Sequence, residues 1–325
     1  MKAIQIVRPH HIKLVTVDMP DLKASGPDRI MVQPDWVSMC GSDIPFFTGS
    51  KRHITYPLPV GGRIHECVGR VVESTSGLFQ PGDRVVVIPE GDLGLAEYFV
   101  AQDIKAAKLP DNLDADGTTC LIQPLSTVIN AVDRLGNIEG KSVAVIGLGS
   151  IGQLFCWLSR KRGAARIVGI DPLEQRCQVA MQMGADQVFP TRSIEVWHLT
   201  RQNPGSWDPP DICIEAVGHQ METLNDCLAL VRQDGTVLAF GVPDQLVYAI
   251  EYETFFRKNA HLIACVTPDW SEYLAIARDI FLANHDELEG LFTHRLPIRE
   301  VEQAFTLYER HKDGILKAII DMSEW

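Results

Sequence analysis

The sequence predicts an α/β chain in which a β-rich domain is joined to a doubly wound parallel-sheet domain. Three observations carry this. Roughly the first 120 residues alternate short apolar runs with Gly, Pro and Asp turns. From residue 142 onward, continuous apolar runs alternate with helical stretches. A glycine-rich turn joins the first of those runs to a helix.

A chain of 325 residues has room for about two domains, each able to bury a core. Hydrophobic residues make up 46% and charged residues 22%, which excludes disordered, collagen-like and disulfide-miniprotein classes. The formal net charge of -12 argues against a generic nucleic-acid or anionic-membrane binder, which is usually basic. No apolar run approaches the ~18 residues of a membrane span. The opening Met1-Lys2-Ala3-Ile4-Gln5-Ile6-Val7-Arg8 turns polar too soon for a signal peptide, so a cytoplasmic protein is expected. The eight cysteines form no C-x-x-C pair. Most are expected to be reduced, small, buried residues, with no four-cysteine zinc site.

In chain order, residues 30–33, 67–72 and 84–88 read as strands, the last following the turn Gln80-Pro81-Gly82-Asp83. Helical periodicity begins at Pro124 and ends at Gly136. Residues 142–146, 166–170, 211–215 and 235–240 read as parallel strands buried on both faces. Amphipathic helices over 270–284 and 298–311 and a strand over 314–320 close the chain. The expected division is residues 1–124 with 267–325, and residues 125–266.

The strand at 142–146 runs into Gly147-Leu148-Gly149-Ser150-Ile151-Gly152 and then a helix. Gly147 permits the tight turn, Gly149 lets the backbone approach a pyrophosphate, and Gly152 lets helix and strand pack closely. The helix N-terminus, at Ser150 and Ile151, offers free N–H groups to phosphate. A methyltransferase uses a similar turn, but the second strand here ends on Asp171, a carboxylate placed for ribose hydroxyls and repelling a 2′-phosphate. NAD is therefore expected over NADP. Arg176, five residues on, is positioned to stack near adenine or to relax that preference.

Cys40-Gly41-Ser42-Asp43 and His65-Glu66 lie in the β-rich part. Any one of these residues alone is more often structural, but thiolate, imidazole and carboxylate together suit zinc with one position open.

These motifs, with Pro81-Gly82-Asp83-Arg84-Val85, Gln123-Pro124-Leu125-Ser126 and Phe240-Gly241-Val242, stand in an order and spacing that resembles the zinc-dependent medium-chain alcohol dehydrogenases. The similarity spans nearly the whole chain and is strongest to the polyol, sorbitol and threonine dehydrogenase branch. It implies a GroES-like catalytic domain split between the chain ends, with a Rossmann domain inserted. It implies catalytic zinc on Cys40, His65 and Glu66. It also implies Ser42 as first acceptor of the alcohol's proton, Asp43 orienting the metal ligands, and NAD facing the metal across a cleft. Phe240, Gly241 and Val242 join the cofactor site. The implied reaction moves hydride between NAD(H) and a secondary alcohol or ketone, such as a polyol, sugar, cyclitol or amino alcohol. A homodimer or homotetramer joined through strand edges is expected, with no nucleic-acid or membrane partner.

Four departures from the family matter. The cysteine-rich lobe is absent, since Pro89-Glu90-Gly91-Asp92-Leu93-Gly94 leads straight to Ala96, so one catalytic zinc per subunit and no structural zinc are expected. Ile64 stands where relatives place Gly before His-Glu, which would be strained at positive φ. Gln123 replaces a frequent Glu and is a fourth candidate ligand through its amide oxygen, leaving the site near zero charge and the metal a stronger Lewis acid. The polyol-pocket aromatic falls at Phe46, with Phe47 beside it and Tyr56 a further candidate for the lining. No arginine stands at Val266-Thr267-Pro268, which argues against sorbitol itself. His53 is the one other histidine considered near the substrate. A zinc-free enone or quinone reductase and a catalytically silent NAD(H)-binding sensor are the alternative readings.

Overall fold

The computed structural model describes residues 1–325 except 51–53, 111–112, 114–116 and 204. The chain divides into two compact units, Met1–Ser126 with Pro268–Trp325, and Thr127–Thr267. Both boundaries lie within two residues of those read from the sequence.

The first unit begins with the hairpin β1 (Lys2–Arg8) and β2 (His11–Thr16), followed by β3 (Arg29–Ser38), β4 (Glu66–Ser74), β5 (Arg84–Val87), β6 (Phe99–Gln102) and β7 (Ala106–Lys108). The second unit holds β8 (Ser142–Ile146), β9 (Arg166–Ile170), β10 (Gln187–Phe189), β11 (Ile212–Glu215), β12 (Thr236–Ala239) and β13 (His261–Ala264). The chain then returns to the first unit with β14 (Phe292–Pro297) and β15 (Lys317–Asp321).

The sheet of the first unit runs β14-β15-β3-β4-β5-β7, with β6 also paired to β3. The return of the chain end is thus a matter of strand pairing: β15 lies antiparallel to β3, with Ile319 opposite Ser38. On the other side of β3, Ser38 lies opposite Glu66 of β4. One apolar face, including Ile30, Val32, Val85, Phe305 and Ile320, forms the core. Residues 298–311, read as one helix, divide into a 3₁₀ turn, Ile298–Glu300, and the α-helix Val301–Arg310.

The second unit is a six-stranded parallel sheet in the order β10-β9-β8-β11-β12-β13. This is the doubly wound arrangement in which strand order reverses beside the first strand. Its apolar runs are buried on both faces: Val143, Ala144, Val145 and Ile146 are all at most 2% exposed. Asp211 locks the start of β8 beside β11. Its Oδ2 accepts from the N–H and Oγ of Ser142, both at 2.7 Å, and its Oδ1 accepts from Arg232 Nε at 2.7 Å.

Burial by itself would raise the Asp211 carboxyl, but the Ser142 and Arg232 bonds outweigh it and bring it down from 3.8 to about 2. A lowered folded-state pKa stabilises the fold above the unfolded value, and that stabilisation fades as pH falls toward the folded one. Asp211→Asn is therefore expected to lower the urea midpoint at about pH 6, with the gap to the unsubstituted chain narrowing between about pH 4 and pH 2.

Candidate active site

Two segments of the first unit converge on one cluster. Cys40 follows the end of β3, and the 3₁₀ turn Gly41–Asp43 begins directly after it. Asp43 Oδ2 reaches back to accept the Cys40 N–H at 2.9 Å. Asp43 Oδ1 lies 3.2 Å from His65 Nδ1, which fixes the ring and leaves Nε2 as the ligating nitrogen. Glu66 opens β4 and has no exposed surface. The ligand atoms of Cys40, His65 and Glu66 all lie within 4.8 Å of one another.

The donor set passes a direct test of fit to a cation. Glu66 Oε2 meets both the Ser38 hydroxyl and the Lys317 ammonium. Glu66 Oε1 is buried and has no hydrogen-bond partner among the described residues. A buried carboxylate oxygen without a partner is costly. Beside a thiol and an imidazole, it completes a donor set that could hold a zinc ion. Burial acts to lower the His65 pKa, but Asp43 and Cys40 outweigh it and hold the imidazole well above its ordinary value. Proton and metal thus compete for this ring.

Ser42 is partly buried within the turn, and Gln123 is buried in the first turn of the helix Ile122–Leu135. The 3₁₀ turn just before Gln123, Thr118–Leu121, packs on β3 and β4, which carry the metal candidates.

Four expectations need correction or comment. Phe47 does not line a pocket: it is fully buried, stacked on Phe305 with ring centroids 4.9 Å apart, and belongs to the core. Helical geometry decides this, since Phe46 and Phe47 are about 100° apart around the helix Ile44–Thr48. Ile64 is unstrained, because Gly61 and Gly62 take the left-handed conformations, φ 104° and 68°, and Ile64 does not. Its backbone instead bonds across to Asp92 and Gly94. Tyr56 donates its hydroxyl to the Phe46 carbonyl at 2.6 Å. His53 lies outside the described residues.

Lys317 is the residue sequence reading missed. It is fully buried and ion-paired to Glu66 from 251 positions away. Burial disfavours its charge, yet Glu66, with Tyr308 and Cys40 adding to it, holds the ammonium above the ordinary lysine range. A lysine opening the apolar strand Lys317-Ala318-Ile319-Ile320 was the available signal.

In the second unit, Gly147 has φ 91°, and a Cβ on Gly152 would stand 1.8 Å from the Gly147 carbonyl oxygen. A Cβ on Gly149 would meet nothing nearer than Arg176 Nη1 at 3.9 Å, so the turn is open where a phosphate must approach. Gly149 caps the helix Ser150–Lys161, which begins at Ser150 and Ile151. Asp171 is nearly buried: its Oδ2 accepts from Leu148 N and its Oδ1 from Leu173 N, each at 2.8 Å. Arg176 Nη1 stands 3.6 Å from Asp171 Oδ2. Phe240 packs edge-on against Phe155.

Glu215, also unremarked in the sequence, ties two loops at the carboxyl end of the sheet. Its Oε1 accepts from Val217 N, Gly218 N and Thr223 Oγ1, and its Oε2 from Gly241 N. This holds Gly241 and the exposed Val242 beside Gly218.

Residues 26–111 match the alcohol dehydrogenase GroES-like domain, and residues 150–281 match the zinc-binding dehydrogenase domain. The chain belongs to the zinc-dependent medium-chain alcohol dehydrogenase family. It is 27% identical to a "probable zinc-binding alcohol dehydrogenase" of Mycobacterium tuberculosis, over 94% of this chain and 84% of that protein. It is 27% identical to a sorbitol dehydrogenase of Bombyx mori, over 91% and 92%. An alcohol dehydrogenase structure from Thermus sp. ATN1 superposes with a TM-score of 0.84 at 23% identity, covering 99% of this chain and all of that one. Among the described residues no helix is long and apolar enough to cross a membrane.

Breaking a buried ion pair on one side strands the other charge, at about 3–5 kcal/mol. Lys317→Met is expected to cost that much in chemical denaturation, and Lys317→Met with Glu66→Gln is expected to recover most of it.

Proposed function

We propose that this alcohol dehydrogenase family member uses one zinc ion and NAD(H) to interconvert a secondary alcohol and its ketone. The observation that carries the reading is the partnerless, buried Glu66 Oε1 within 4.8 Å of the Cys40 and His65 ligand atoms. Cys40, His65 and Glu66 hold the ion, and Gln123 is the neutral fourth candidate. When bound, zinc supplies Lewis acidity that acidifies the alcohol and polarises the carbonyl. Ser42, two residues from Cys40, takes the alcohol's proton. Asp43 fixes the His65 tautomer, and Ser38 and Lys317 fix Glu66. The glycine turn binds pyrophosphate, and Glu215 holds the loops at Gly218 and Gly241 that border the dinucleotide. Asp171 favours NAD over NADP. Polyhydroxylated substrates follow from the likeness to sorbitol dehydrogenases.

One zinc and no structural zinc are the reading, because Pro89-Glu90-Gly91-Asp92-Leu93-Gly94 stands where a cysteine-rich lobe would be. Protein purified without added metal is expected to contain one zinc per chain, lost in Cys40→Ala. With a panel of polyols, cyclitols and amino alcohols it should form NADH, faster than NADPH. Ser42→Ala should lower kcat by about 10²–10⁴-fold, the ordinary value of a proton-transfer group. No zinc with NADH still bound would point to a zinc-free reductase. Zinc and NADH bound without turnover would point to a silent sensor.

A second copy of the chain is the proposed partner, acting through the free edge of β13. Among the described residues that strand pairs only with β12, and Leu262 on it and Val266 just beyond it are 38% and 55% exposed. Light scattering should give a dimer or tetramer. Leu262→Lys should dissociate it, since an edge lysine opposes strand addition. A monomer for the unsubstituted chain would overturn this.

A further inference from the structure

We infer that Arg63 is a substrate-recognition residue and that the preferred alcohol carries an anionic group, a carboxylate or a phosphate, a few carbons from the reacting hydroxyl. This rests on the activity proposed above and names its substrate class.

The argument is one of adjacent rungs. The short helix Ile44–Thr48, with Asp43 as its N-cap, is met by side chains from residues 63–65. Two contacts join them. Asp43 Oδ1 meets His65 Nδ1 at 3.2 Å, and the Arg63 guanidinium lies over the Phe46 ring at 4.0 Å. Asp43 and Phe46 are three residues apart, neighbours on one helix face with Cβ atoms roughly 5–6 Å apart. Arg63 and His65 flank Ile64, which is fully buried and bridged to Leu93, so both side chains point away from that core. The second rung is therefore the immediate neighbour of the first, and the first holds a metal ligand. Arg63 is two residues from His65, and its guanidinium lies over a ring three residues from the carboxylate that holds that histidine.

Arg63 has donors to offer. A guanidinium carries five N–H groups. Nη1 donates one to the Gly91 carbonyl at 3.3 Å, and Nη2 pairs with Asp92 at 2.8 Å. Nε is buried and has no hydrogen-bond partner among the described residues, so any ligand must be met by the terminal nitrogens. The Arg63 side chain is 26% exposed, and the ring beneath and Asp92 beside it hold the guanidinium in place. A preset planar fork of this kind suits carboxylate and phosphate, the anions arginine binds in bidentate fashion. Phe46 is thereby a platform for a cation and not a bare apolar wall.

The test compares neutral four- to six-carbon polyols with their phosphate monoesters and aldonates, by kcat/KM. The unsubstituted enzyme should prefer one anionic class by tenfold or more, expressed mainly in KM, as expected for a charge-assisted bond. Arg63→Met should bring the anionic-to-neutral ratio to about one. Arg63→Lys should retain part of a phosphate preference and lose a carboxylate one, since lysine is a point charge. Inorganic phosphate should inhibit the unsubstituted enzyme competitively with the alcohol, a readout that needs no variant. Neutral polyols used as well as anionic ones, a ratio unchanged in Arg63→Met, or phosphate competing with NAD would each overturn the inference while leaving the dehydrogenase reading intact. No oxidation of any alcohol would overturn both.

Discussion

The two oxygens of the Glu66 carboxylate have separate tasks, and the catalytic unit is built around that separation. Oε2 is held by Ser38 and Lys317, and Oε1 is left buried without a partner beside Cys40 and His65. A charge of this kind survives in a core only when it is paired. Lys317 supplies the pairing, and it comes from the strand that returns from the far end of the chain. The pairing of β15 with β3 is thus a fold feature and also what makes a buried anionic ligand tolerable. A cation at Oε1 completes the electrostatics that Lys317 begins.

The dinucleotide unit follows the same logic with different chemistry. Its glycines create space at Gly149 and close contact at Gly152. Its carboxylates then use backbone N–H groups to fix the loops: Asp171 holds Leu148 and Leu173, and Glu215 holds Val217, Gly218 and Gly241. Each sits at the carboxyl end of a parallel strand, where dinucleotides bind in doubly wound sheets. A loop clamped by a buried carboxylate presents its backbone without a cost of ordering when ligand arrives.

Much of the site was legible in the sequence because its parts are local. Cys40 to Asp43, His65-Glu66 and the turn at 147–152 are short patterns whose chemistry needs those residues at that spacing. The phenylalanine pair shows the limit. Phe46 and Phe47 are equivalent as text, but one turns toward Arg63 and the other into the core against Phe305. Ile64 shows another: the strain expected at a non-glycine position is relieved because Gly61 and Gly62 absorb the left-handed turns just upstream.

The sequence by itself determined the two architectures, the glycine turn, the metal candidates and the order of strands along the chain. Each depends on hydrophobic period or on residues a few positions apart. Tertiary structure alone decided that Lys317 meets Glu66, that Glu215 bridges two loops, and that Arg63 rides over Phe46. Those contacts arise when separate segments are packed together, and burial then sets what their charges are worth. No local pattern encodes a partner that folding brings in from 251 residues away.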